Sequence, residues 1–157
     1  MYNQSLDNNL NNKKRIKIIA HDRETIHFLS GLLQDSITCK LWILYKNNTL
    51  KILVNRVCWE VPPEIFENEE HIKRIHSIVT IHNIKEIKTK NIFNKKMDFF
   101  SLLSIQCDYD HKNKNNILNI LLSKGSAQLA VNDFYITIKD MSTYWLSNVI
   151  PEHSFNF

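Results

Sequence analysis

The sequence predicts an α+β fold: a mostly antiparallel sheet of about seven to eight strands, curled or split, with one main N-terminal amphipathic helix. Three observations predict it. Short apolar runs alternate along most of the chain, and the brief polar turns between them imply antiparallel neighbours. One stretch, Arg23 to Asp35, carries Ile26, Leu29 and Leu33 at helical spacing. The chain has 157 residues, 43% of them hydrophobic and 23% charged, which suits one domain with a real core.

Residues 1–12 are polar and Asn-rich and are expected to form a disordered arm. Residues 13–157 make the single domain, with an irregular tail from about residue 141. Ile16, Ile18 and Ile19 give a first strand ending near Ala20. Asp22 is placed to cap the helix, with Glu24 in its first turn. The stretch Lys40 to Pro63 then reads as a β-hairpin. Leu41, Ile43 and Tyr45 alternate with Trp42 and Leu44, so both faces of its first strand are apolar, the mark of a central strand. Asn47-Asn48 serves as the turn, because Asn tolerates positive φ better than other non-Gly residues. Leu50, Ile52 and Val54 share one face of the returning strand, which Pro62-Pro63 terminates.

Glu64 to Glu70 is acidic and reads as a surface loop or short helical turn. A long strand follows from about Lys73, with Ile75, Ser77, Val79 and Ile81 on one face. Its apolar phase slips near Ile84 to Ile87, which predicts a bulge or strong bend. Further strands are expected over Phe99 to Tyr109, Ile117 to Leu122, Gln128 to Val131 and Phe134 to Lys139. Trp42, Trp59, Tyr135 and Trp145 are expected in the core, except that Trp145, with Phe155 and Phe157 on the irregular tail, could instead form an exposed patch for self-association or a partner. The tail beyond Asp140 has aromatics but little periodicity, so irregular chain with one helical turn is expected there.

Composition narrows the function classes. Only two Gly and three Pro occur, which argues against a Gly-rich phosphate loop or a long flexible linker. The net charge is +4. Asn, Lys and Ile all have AT-rich codons, so codon bias accounts for their frequency as well as an acidic partner would. Cys39, Cys58 and Cys107 have no C-x-x-C spacing and read as free thiols in a reducing cytosol. No apolar run reaches the length of a membrane span, and the first residues lack an apolar signal core, so a cytoplasmic protein without membrane partners is expected.

Certain strings carry a resemblance. A strand ends Ala20-His21-Asp22, and a helix ends Leu33-Gln34-Asp35. The hairpin holds Asn55-Arg56-Val57-Cys58-Trp59-Glu60, and the chain closes on Ile150-Pro151-Glu152-His153. From about Arg15 to His153 the chain resembles the alphaproteobacterial family catalogued as domain of unknown function 2948. It departs from that pattern at Cys58, where an acid is expected, and in having only Gly125 where a glycine-rich turn is expected. The resemblance implies a small stand-alone bacterial cytoplasmic protein and carries over no activity, cofactor or substrate.

Arg56, Glu60, Asp140 and His153, with Asp35 and Glu152, are the polar residues to watch, and Trp59 and Trp145 accompany them. Arg holds carboxylate or phosphate in bidentate fashion, and a carboxylate can orient a His as base. The competing reading is a structural clamp that ties the tail to the sheet. Lys85, Lys88, Lys90, Lys95 and Lys96, with Phe93 among them, could follow a nucleic-acid backbone, joined by Lys13, Lys14, Arg15 and Lys17. Solvated lysines that guard a strand edge are the simpler account. The seven histidines lack ligand spacing, so no metal and no cofactor is expected. The leading reading is a non-catalytic binding or scaffold domain for a protein, a second copy of itself or a small anionic ligand. The alternatives are a nucleic-acid-associated protein and, behind it, a small enzyme with an Arg/Glu/His site.

Overall fold

A computed structural model describes residues 15–92 and 98–151. The expected arm, Lys13, Lys14, Phe93, Lys95, Lys96, Glu152, His153, Phe155 and Phe157 lie outside the described residues. The fold corrects the α+β expectation. Among the described residues 60% are in strands and 11% in helix, and twelve strands form one antiparallel sheet. The molecule is mainly β, and its helix is a single cover of three turns rather than a second layer.

The elements follow in order. Strand β1 (Lys17–Ala20) leads to helix α1 (Arg23–Leu33) and β2 (Ser36–Cys39). After a 3₁₀ turn (Lys40–Trp42) come β3 (Ile43–Lys46), β4 (Thr49–Val57), β5 (Glu64–Phe66) and β6 (Glu69–Ile81). Then come β7 (Ile84–Lys90), β8 (Phe99–Asp110), β9 (Asn115–Leu122), β10 (Gly125–Val131), β11 (Ile136–Asp140) and β12 (Trp145–Ser147). The sheet runs β1-β11-β6-β4-β2-β8-β9-β10-β7, with β12 and β5 continuing along β6 and β3 lying on β4.

Asp22 caps α1 as its sequence position predicts. Its carboxylate accepts from the Thr25 N–H at 2.7 Å, and Thr25 Oγ1 accepts from the Asp22 N–H at 3.2 Å. Ile26, Leu29 and Leu33 are buried against the sheet, and each such burial is worth roughly 1.5–3 kcal/mol. Asp35, at φ 61°, turns the chain from the helix into β2.

The extra strands arise from turns that the chain makes without glycine. Asn47 and Asn48, at φ 50° and 56°, make the expected turn between β3 and β4. Glu67 and Asn68, at φ 51° and 65°, do the same between β5 and β6, so the acidic segment is a hairpin and not a loop or helical turn. Asn83, at φ 60°, breaks the long strand into β6 and β7, close to the expected bend. In β8 the register against β9 shifts between Leu102 and Ser104. That bulge moves the buried phase from Phe100 and Leu102 to Ile105. The tail makes strand β12 on β6 instead of a helical turn.

One face of the curled sheet holds the core. It is built from aliphatic residues such as Leu50, Ile52, Val54, Val79, Ile81, Leu118, Leu129 and Ile138, with Phe100. Half of the hairpin expectation is corrected here. Strand β4 is central, but among the described residues β3 lies on β4 alone, and Leu41, Leu44 and Tyr45 are exposed. The residues around Trp42 form the 3₁₀ turn, so double-sided apolarity there reflects aromatic packing on the sheet's outer face.

Candidate functional site

Two polar constellations flank the sheet where β4, β6, β11 and β12 meet. The first is on the core side. Strand alternation puts Arg56 of β4, Ser77 of β6 and Asp140 of β11 on the same face as Val54 and Val79. Arg56 is only 1% exposed. Its Nε donates to Asp140 Oδ1 at 3.0 Å and to Ser77 Oγ at 3.2 Å. Nη2 donates to Asp140 Oδ2 at 2.9 Å and to Glu60 Oε1 at 2.8 Å. Nη1 donates to Glu60 Oε2 at 3.0 Å and to the Val57 carbonyl at 3.2 Å. A guanidinium has five N–H groups, and all of them are used here.

The acids are equally engaged. Asp140 Oδ1 accepts from Ser77 Oγ at 2.6 Å and Oδ2 from the Ile16 N–H at 2.8 Å. Burial alone would raise the Asp140 pKa, but the bonds from Arg56, Ser77 and Ile16 outweigh it and hold the carboxyl below its ordinary value. Burial likewise works against the charge on Arg56, and the bonds and charges of Glu60 and Asp140 more than restore it. The constellation joins the start of β1, the end of β4, β6, β11 and the turn after β4. Its geometry is that of a clamp without a free donor.

The second constellation is on the outer face. Asn55 lies opposite His76, and Val57 and Trp145 lie opposite Arg74 from either side, so these side chains share that face. Arg74 is 5% exposed. Its Nη1 has no hydrogen-bond partner among the described residues, and neither has Asn55 Oδ1. Burial lowers the Arg74 pKa, with the Asp35 charge opposing it. The tilted Trp145 ring sits 4.8 Å from His76, and the Trp42 ring meets His76 edge-on at 6.5 Å. Phe99 extends this aromatic row, 5.5 Å from Trp42.

The aromatics are therefore not core, contrary to expectation. Trp59 is 42% exposed, and its Nε1 donates to the Gln34 carbonyl at 2.9 Å. Tyr135 is also exposed, while Trp42 and Trp145 are half-buried. The aliphatic interior leaves their bulk and ring N–H groups to the outer face. Of the residues marked in the sequence, Arg56, Glu60 and Asp140 come together, with Trp59 on the segment that carries Glu60. Trp145 lies across β6, on the outer face with Arg74. Arg74 and Asn55 are not marked by the sequence as site residues, although Arg74 lies beside Lys73 between Ile72 and Ile75 and Asn55 sits inside the most specific string.

Lys85, Lys88 and Lys90 all lie exposed on β7, the last strand of the sheet. They do not form an unbroken basic track. Lys88 Nζ is 3.5 Å from Glu86, and Lys85 Nζ donates to Asn115 Oδ1 at 2.9 Å. Cys39 and Cys58 are buried and Cys107 half-buried, all as free thiols. Burial pushes the Cys58 thiol up to about 11, against the opposing charge of Arg56. Among the described residues no group of three or more His, Cys, Asp or Glu is placed to hold a metal ion, and no helix is long and apolar enough to cross a membrane.

Fold and site define a small mainly β domain with a clamped interior and an aromatic-flanked polar patch outside. The chain belongs to the family described as Protein of unknown function (DUF2948), which matches residues 16–153. No curated protein and no solved structure gives a match.

Proposed function

We propose that the protein is a non-catalytic binding domain for a small anionic ligand, held on the outer face by Arg74 and Asn55 between Trp42, His76 and Trp145. The observation that carries this reading is Arg74 Nη1, buried and without a hydrogen-bond partner among the described residues. A buried guanidinium is costly unless an anion compensates it. The Asn55 amide lies diagonally across the strands with its Oδ1 unbonded, and rotated about its last bond it presents its N–H groups to an anion, while the flanking rings suit a planar ligand. The acid–base alternative loses support, because Glu60 and Asp140 are both bonded to Arg56. The free thiols support action in a reducing cytoplasm.

The test is thermal denaturation of the full chain with inorganic phosphate or benzoate at constant ionic strength, parent against Arg74→Met. A saturable rise in Tm in the parent that is absent from the variant is the expected result. Equal responses, or none, overturn the assignment. Salt-sensitive RNA binding abolished by Glu at Lys85, Lys88 and Lys90 would instead move the function to the β7 edge.

A further inference from the structure

The core face of the sheet encloses a cavity of about 190 Å³. One wall is β3 and β4, with Ile43 and Tyr45; the other is β7 and β10, with Ile87, Thr89, Ala127 and Leu129. Among the described residues no charged side chain lines it. The Thr38 hydroxyl, also in the wall, already donates to the Leu53 carbonyl at 2.8 Å. The register explains the shared lining. Tyr45 pairs with Leu50 and Ile43 with Ile52, while Leu129 pairs with Ile87 and Ala127 with Thr89, so all eight side chains face inward.

Close-packed interiors keep few voids larger than a water molecule, and a wholly apolar one does not hold water well. An engineered apolar cavity of about 150 Å³ takes up benzene. This one is somewhat larger, and it has an approach. Among the described residues β3 pairs with β4 alone and β7 with β10 alone; the Ile84 N–H donates to the Asn48 carbonyl at 3.0 Å and ties the start of β7 to the β3–β4 turn, and beyond that bond the two strands line opposite sides of the cavity. Tyr45, 47% exposed, stands at that border.

We propose that this cavity is a second binding site, taking a small uncharged apolar molecule slightly larger than benzene. Recognition is by shape and apolar contact. The site lies on the opposite face of the sheet from Arg74, so it stands independently of the anion site.

The test titrates the full chain with toluene, read by Tm and by methyl NMR. A saturable rise in Tm is expected, with shift changes concentrated at the methyls of Ile87, Ile120 and Leu129. Ala127→Leu and Thr89→Ile fill the space and should each weaken toluene binding at least tenfold, whereas Arg74→Met should leave it unchanged. If one filled variant fails to fold, the other carries the comparison, and the parent's methyl shifts decide if both fail. No toluene response in the parent, shifts spread over the outer face, or undiminished binding in a folded filled variant would overturn the proposal.

Discussion

Arg56 and Asp140, 84 residues apart in sequence, meet as a two-pronged ion pair with bonds of 3.0 and 2.9 Å. The pair bridges β4 and β11 across β6, and Ser77 of the intervening strand bonds to both partners. Replacing Arg56 by Ala leaves Asp140 buried and unpaired. Breaking a buried pair from one side costs about 3–5 kcal/mol. Urea denaturation of Arg56→Ala should show a loss in that range. A loss below about 1 kcal/mol, the level of an exposed pair, would mean that water reaches the clamp.

The same pair sets an acid limit on stability. Asp140 is held below the 3.8 of a free aspartate, so in that window the folded state binds fewer protons than the unfolded state. Its contribution is complete above about 4 and falls away as the pH drops through the lowered folded value. Asp22 and Asp110 are also lowered, so the comparison must be between parent and Asp140→Asn. The variant should be less stable at neutral pH and lose less on acidification. Denaturation midpoints between pH 6 and pH 2 check this, and parallel acid limbs would refute it.

Much of this architecture can be read from residue pattern alone. Asp22 and the Ile26/Leu29/Leu33 stripe fix the helix, and Asn47-Asn48 and the even residues of β4 fix the hairpin's core half. The strand count could not be read in the same way. The turns at Glu67-Asn68 and Asn83 depend on positive φ, which Asn tolerates but Glu67 usually avoids, and in a chain so rich in Asn that tolerance does not mark which Asn will turn. The bulge at Leu103 hides the alternation of β8. The clamp was visible in part, because Arg56 and Glu60 are four apart, whereas Ser77 is a partner only through the β6 register. Arg74 is not legible as a site residue because a strand arginine is usually solvated, and its neighbour Trp145 comes from a tail without periodicity.

Gly125 offers a backbone test. Its φ is +124°, and a Cβ there would collide with the Lys90 carbonyl oxygen where β10 begins beside β7. Strain in a sparsely populated region costs roughly 1–3 kcal/mol before any steric shift is counted. Gly125→Ala should destabilise by at least that much in chemical denaturation. It should also speed amide exchange in β7 and β10 more than in β4 and β6. A neutral substitution would show that the β9–β10 turn relaxes freely.

Trp59 separates a surface ring from a core ring. Truncating a core aromatic costs about 3–5 kcal/mol, but this ring is half out of the protein and contributes one hydrogen bond to Gln34. Trp59→Ala should cost about 1 kcal/mol, the scale of one net hydrogen bond. A loss above 3 kcal/mol would place the ring in the interior.

Arg74 gives the prediction that most directly joins stability to binding. A buried guanidinium whose Nη1 has no hydrogen-bond partner among the described residues should weaken the empty fold, since burying charge is unfavourable and the Asp35 charge offsets only part of that cost. Methionine is unbranched, adapts to the same slot and carries no charge. Removing the charge relieves its burial cost, set against the lost attraction to Asp35. Arg74→Met should therefore melt above the parent in buffer free of multivalent anions and carboxylates. The gap should close as phosphate or benzoate is added, because only the parent gains from the anion. If Arg74→Met is instead less stable than the parent under anion-free conditions, Arg74 serves the fold and the outer patch is not a ligand site.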